Sequence, residues 1–150
     1  MDKQKLLILP IIINTVIFFA LSVLHFYWAF GGELWLNEVL PTNTNGTNRL
    51  NPSMTAALIV AFGLMFLALI TAANQGLFDE YLKRTYFRYC ALIISIIFCL
   101  RAIGEFKFVG FFKTINATKF AVNDTQIFSP LCLFIAFLSL LIFLFNKHNA

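Results

Sequence analysis

The chain has 150 residues, of which 60% are hydrophobic and only 12% charged, and it carries a net charge of +4. Soluble domains carry about 25% charged residues, so this composition excludes an ordinary water-soluble globule. The modest positive charge suits contact with anionic headgroups and requires no nucleic-acid partner.

In chain order, the first long apolar run is Leu6–Phe30. A helix of about 20 apolar residues crosses the roughly 30 Å hydrocarbon core, so this run is long enough to span. It is continuous rather than alternating, which points to a helix and not to a barrel strand. Lys3 and Lys5 precede it as in a signal peptide. The apolar length, however, exceeds the roughly 7–15 residues of such a segment, and no small-x-small site closes it, so a retained first helix is expected. Pro10 falls in its first turns, where a missing N–H costs least. Asn14, Ser22, His25 and Gly32 fall within about 80° of arc at helical pitch, a polar stripe expected to face other helices.

The connection Gly31–Ser53 is rich in Asn and Thr around residues 42–48 and reads as an exposed, mobile loop. Met54–Ala73 is the second span, the short Asn74–Thr85 connection makes a hairpin, and Tyr86–Ile103 is the third span. In Gly104–Ile127, Phe106, Phe108, Phe111, Phe112 and Phe120 are interleaved with Lys107, Lys113 and Lys119. That mixture predicts a segment lying at the headgroup boundary, rings in the acyl region and ammonium groups in water, or a lid. Phe128–Phe145 is the fourth span, with Ser129-Pro130 reading as an N-cap followed by proline at the first helical position.

The expected fold is therefore an all-α integral membrane protein: one domain over residues 1–150, with four transmembrane helices in an up-down-up-down bundle and both termini on one side. The termini side carries Lys3, Lys5, Lys83, Arg84, Arg88 and Lys147, and the far side carries Arg49, Arg101, Lys107, Lys113 and Lys119. This near-balance gives little orientation, but Lys3 and Lys5 before the first span, with no cation until Arg49 after it, favour a cell (inner) membrane protein with cytoplasmic termini. Cys90, Cys99 and Cys132 lie within spans at no metal-binding spacing and read as small apolar fillers. Small residues at Ala57/Ala61 and Ala68/Ala72 permit close packing against a neighbour and leave an oligomer open.

Polar groups at membrane depth are costly unless they have partners, so they mark candidate function. The topology gathers the end of the first helix, the start of the second, the end of the third and the start of the fourth on one face. The candidate polar site there comprises His25, Trp28, Glu33, Arg101, Glu105 and Asp124. Arg101 and Glu105, four residues apart, are expected to pair and to contact the end of the first helix. The opposite end offers Asp79, Glu80, Lys83 and Arg84, which read as solvated charge. Each candidate has an ordinary alternative: Trp28 as an interfacial belt residue, Arg101–Glu105 as a structural pair, His25 as the holder of an interhelical hydrogen bond. No pattern for bis-histidine haem, a phosphate-cradling glycine loop, a nucleophile elbow or a zinc site is present, so neither metal nor cofactor is expected. An acid–base site of His25 with Glu105 or Asp124, organised by Arg101, stays open.

His25-Phe-Tyr-Trp-Ala-Phe-Gly-Gly32, Leu40-Pro41, Leu100-Arg101-Ala-Ile-Gly104-Glu105-Phe-Lys-Phe-Val-Gly110-Phe-Phe-Lys113, Phe120-Ala121, Asp124-Thr125 and Ser129-Pro130-Leu131-Cys132 form a set. Together they resemble the small bacterial four-helix membrane family DUF3995, a domain of unknown function, over nearly the whole chain. The acid after Gly104 is more often Asp in that family and is Glu here. The resemblance implies four helices but no activity, substrate or cofactor, and its signature falls on the end of the bundle selected by topology. Two functions follow as expectations. One is a polar site for a small or lipidic molecule, in an enzyme or a carrier; the other is a structural or accessory membrane protein whose polar cluster locks loops onto the bundle. Membrane lipids are the expected partners.

Overall fold

The computed structural model describes residues 3–40, 53–116 and 118–146. The helices are α1 (Lys3–Ala29), α2 (Leu36–Val39), α3 (Met54–Ala73), α4 (Arg84–Ile103), α5 (Lys119–Asn123) and α6 (Ser129–Phe145), with a single π turn, Asp124–Phe128, joining the last two. Four segments, Leu7–Ala29, Met54–Ala73, Arg84–Ile103 and Lys119–Phe145, are each long and apolar enough to cross a bilayer. Their outward surfaces carry Ile59, Phe62, Phe66, Ile93 and Phe137, all exposed. Apolar surface that continuous requires lipid rather than water around it.

Specific contacts set the topology. Ser22, late in α1, donates to the carbonyl of Ala61, early in α3, at 2.8 Å. Arg88, early in α4, donates to the carbonyl of Phe143, late in α6, at 2.7 Å. Asn14 donates to Ile135 O and Ser139 Oγ of α6 at 3.3 and 2.9 Å. Successive spans thus run antiparallel, in an up-down-up-down order. α1 packs most extensively on α3, α4 on α6, and the two pairs join where α1 meets α6. Phe18, Ala68, Ile94 and Ile135 form the centre of the core. As expected, Asn14 and Ser22 of the polar stripe face inward. Each buried polar contact adds about 0.6 kcal/mol in a membrane setting, so these bonds fix register more than they add stability.

Four expectations are corrected. First, α1 begins earlier than residue 6, so Pro10 is an interior residue of the helix rather than part of its start. Second, the fourth membrane segment begins at Lys119, not at Ser129-Pro130. Thr118 is the true N-cap, its hydroxyl accepting from Ala121 N at 3.1 Å. Ser129 is helical, and its N–H donates five residues back to Asp124 O. Proline at 130 cannot donate and its ring crowds the carbonyl four residues earlier, which accounts for the π turn just before it. Third, the start of the first connection forms α2 instead of an open loop; residues 41–52, including the Asn/Thr-rich stretch and Arg49, lie outside the described residues. Fourth, the hairpin end holds more than its charges, of which Asp79, Glu80 and Lys83 are exposed as expected and Arg84 pairs with Asp79. Asn146 Nδ2 donates to Asn74 Oδ1 at 2.9 Å, Asn74 donates to Ile70 O and Phe87 O, and both asparagines are buried.

Candidate functional site

The loop after α4 folds back on itself because two glycines let it. Gly104 and Gly110 have φ of +85° and +89°. A Cβ on Gly104 would stand 1.8 Å from Val109 O, and one on Gly110 2.3 Å from Ile103 O, so the two backbones cross where no side chain fits. Phe111 N then donates to Ala102 O at 2.9 Å and closes the loop.

This crossing aims the N–H of Gly110 at Asp124. Asp124 is fully buried, and its carboxylate accepts from four donors. Arg101 Nη2 reaches Oδ1 at 3.1 Å, while Gly110 N at 2.7 Å, Lys113 Nζ at 3.1 Å and Ser129 Oγ at 3.3 Å share Oδ2. The Lys113 ammonium is itself only 1% exposed and also donates to Gly110 O at 3.1 Å. Two cations meet one carboxylate here, so the cluster keeps a net charge of +1. Lys113 was expected in water at the headgroup boundary and is instead inside, because Asp124 offers a buried partner that outweighs its hydration. Of the loop's rings, Phe106, Phe111 and Phe112 do lie on the surface, whereas Phe108 and Phe120 are buried.

Beside this cluster lies a partly open cavity of about 460 Å³ between the helix pairs. Its inner part is apolar: Leu64, Phe98, Leu131 and Ile135 belong both to its wall and to the core beneath. Its polar groups come from the helix ends, with His25 and Trp28 at the end of α1, Arg101 at the end of α4 and Cys132 in the first turn of α6. Leu36, Val39 and Leu40 of the α2 region close over it.

His25 Nδ1 lies 2.8 Å from Leu21 O, which fixes the N–H on Nδ1 and leaves Nε2 as the free nitrogen in the neutral ring. Its ring packs edge-on against Trp28, centroids 4.8 Å apart. The Trp28 indole donates to Leu34 O at 2.8 Å, so this tryptophan buttresses the turn after α1 in addition to facing the cavity. Arg101 pairs with Asp124 through Nη2, but its Nη1 is shut from solvent with no hydrogen-bond partner among the described residues.

Of the six residues singled out from sequence, His25, Trp28 and Arg101 line the cavity, and Asp124 sits behind Arg101. Glu33 and Glu105 are exposed and make no side-chain hydrogen bond or ion pair among the described residues. The expected Arg101–Glu105 pair does not form: α4 stops at Ile103, Gly104 turns the chain away, and Arg101 takes the buried carboxylate of Asp124 instead. Sequence reasoning missed Lys113 and the apolar wall of the cavity. The Gly104…Gly110 spacing was the available signal that the loop doubles back. Among the described residues, no group of three or more His, Cys, Asp or Glu side chains comes together as it would around a metal ion.

Four apolar, antiparallel helices enclosing this cavity define a multi-pass membrane protein. The chain belongs to the family described as protein of unknown function (DUF3995), whose profile matches residues 18–139, a range that takes in the whole cavity and the Asp124 cluster. No curated protein and no solved structure matches it.

Proposed function

We propose that the chain binds an amphipathic, lipid-like molecule, its tail against Leu64, Phe98 and Ile135 and its polar end toward His25 and Arg101. The observation that carries this is the cavity of about 460 Å³, apolar within and polar only at the helix ends. Ligand cavities run from about 300 to 1,000 Å³, so the size suits one such molecule. In this reading Asp124 is a clasp rather than a reacting group, because its oxygens are taken up by four donors while the cavity is left unfilled by protein. The structural role weighed from the sequence thus fits Asp124 and Lys113, and the ligand role fits His25, Trp28 and Arg101. With the termini in the cytoplasm, as the lysines before α1 favour, the cavity serves the far leaflet.

Cys132 lines the cavity, whereas Cys99 is exposed elsewhere on α4. With Cys90 and Cys99 replaced by Ala, the rate of Cys132 alkylation by a small maleimide in detergent is the test. Added native membrane lipid extract should slow it several-fold, and should leave a Cys99-only variant unaffected. Equal rates for Cys132 with and without extract would refute the proposal.

A further inference from the structure

We infer that the molecule held in this cavity carries an anionic headgroup, a carboxylate or phosphate, and that Arg101 is the residue that recognises it; this rests on the ligand-binding role proposed above. Three observations point the same way. The first is position: Arg101 lines the cavity, and its side chain stays 37% exposed although Nη2 is engaged by Asp124. A guanidinium has five N–H donors and Asp124 takes one of them, so charged donors remain on this side chain for an oxygen of a guest. The second observation is charge. Arg101 and Lys113 share the single carboxylate of Asp124, so the wall of the cavity at this point holds a net positive charge. Glu33, Glu38 and Glu105, the other acids at this end, stand exposed outside the cavity lining and do not cancel it. In a low-dielectric surrounding, that charge favours an anion over a neutral or cationic headgroup. The third is the histidine: with Nδ1–H held by Leu21 O, the other ring nitrogen of His25 is an acceptor in the neutral ring, so it suits the O–H of a singly ionised phosphate headgroup and leaves the ionised oxygens to Arg101.

The fork of a guanidinium suits planar or tetrahedral oxyanions and holds them at defined geometry, which a lysine at the same place would not. Asp124 and Lys113 then act behind it. They position Arg101 and supply the surplus charge, and neither lines the cavity.

Trp28 in the cavity wall supplies the readout, and Trp35→Phe removes the other tryptophan, leaving Trp28 as the sole indole. In discs of zwitterionic phosphatidylcholine, a fatty acid brominated beside its carboxylate, the end placed near Trp28, is compared with the bromo-alkyl phosphate and bromo-alcohol of the same length carrying bromine at the matching position. Heavy-atom quenching of Trp28 should saturate with both anions at concentrations roughly tenfold or more below those needed for the alcohol. Arg101→Gln should erase that difference by weakening the anions to the level of the alcohol, and Arg101→Lys should restore only part of it. Inorganic phosphate alone should displace neither probe at comparable concentration. If it does, the site is for a free anion and the amphiphile is wrong. Equal affinity for acid and alcohol, unchanged by Arg101→Gln, would overturn anion recognition while leaving the lipid cavity standing. Absence of saturable quenching by all three would instead sink the cavity proposal itself.

Discussion

Replacing Asp124 by Asn would leave the Lys113 ammonium and one arm of Arg101 facing each other in the interior with no charge between them. Breaking a buried ion pair by removing one partner costs about 3–5 kcal/mol, so Asp124→Asn should lower unfolding stability in mixed detergent by that order. Lys113→Met should cost less, since Arg101, Gly110 and Ser129 still serve the carboxylate. Equal, small effects from both would mean that the cluster is hydrated and not a clasp. The exposed acids give the contrast: Glu33→Gln and Glu105→Gln should each stay within about 0.5 kcal/mol of the parent and leave probe quenching of Trp28 unchanged. Arg101 and Asp124 were legible in the sequence as costly charges, but their partnership was not. The residues are far apart in sequence, and the local pair Arg101–Glu105 offered a simpler answer. Lys113 was illegible for a related reason: a lysine among phenylalanines looks like a snorkelling residue until the loop's fold is known.

The loop from Gly104 to Gly110 owes its shape to backbone and not to side chains. Gly110→Ala would force a Cβ into the Ile103 carbonyl at a positive φ, a strain beyond the about 1–3 kcal/mol of an unfavourable dihedral alone. It should release the loop, seen as faster proteolytic cleavage within residues 104–116 while α1 to α4 persist; unchanged cleavage would contradict the crossing geometry. At the hairpin, Asn74 ties α3 to the start of α4 and to Asn146, so Asn74→Ala should cost about 1–3 kcal/mol of stability and leave Cys132 labelling unaltered. A change in labelling would mean that the two ends are coupled. The span Met54–Ala73 was readable to the residue because Ser53 and the following apolar run mark it cleanly. The start of the fourth was not, since Ser129-Pro130 carries the local chemistry of a helix start while sitting inside a longer helix. A proline that is paid for by a π turn cannot be distinguished in sequence from one that begins a helix.

At the scale of the whole molecule, the length and placement of the apolar runs were enough to fix the bilayer as solvent and the antiparallel order of four spans. The cavity was beyond it, because an apolar residue facing a void and one facing lipid look alike in sequence. Reporter fusions at the two ends should place both in the cytoplasm, and opposite sides would break the topology. The central claim is that the cavity holds a single amphiphile, and native mass spectrometry of the chain released from gentle detergent tests it most directly. One discrete adduct of lipid-like mass per chain is expected, lost in Ala57→Trp, which fills the cavity from α3. A bare chain mass, or an adduct that persists in Ala57→Trp, would contradict it.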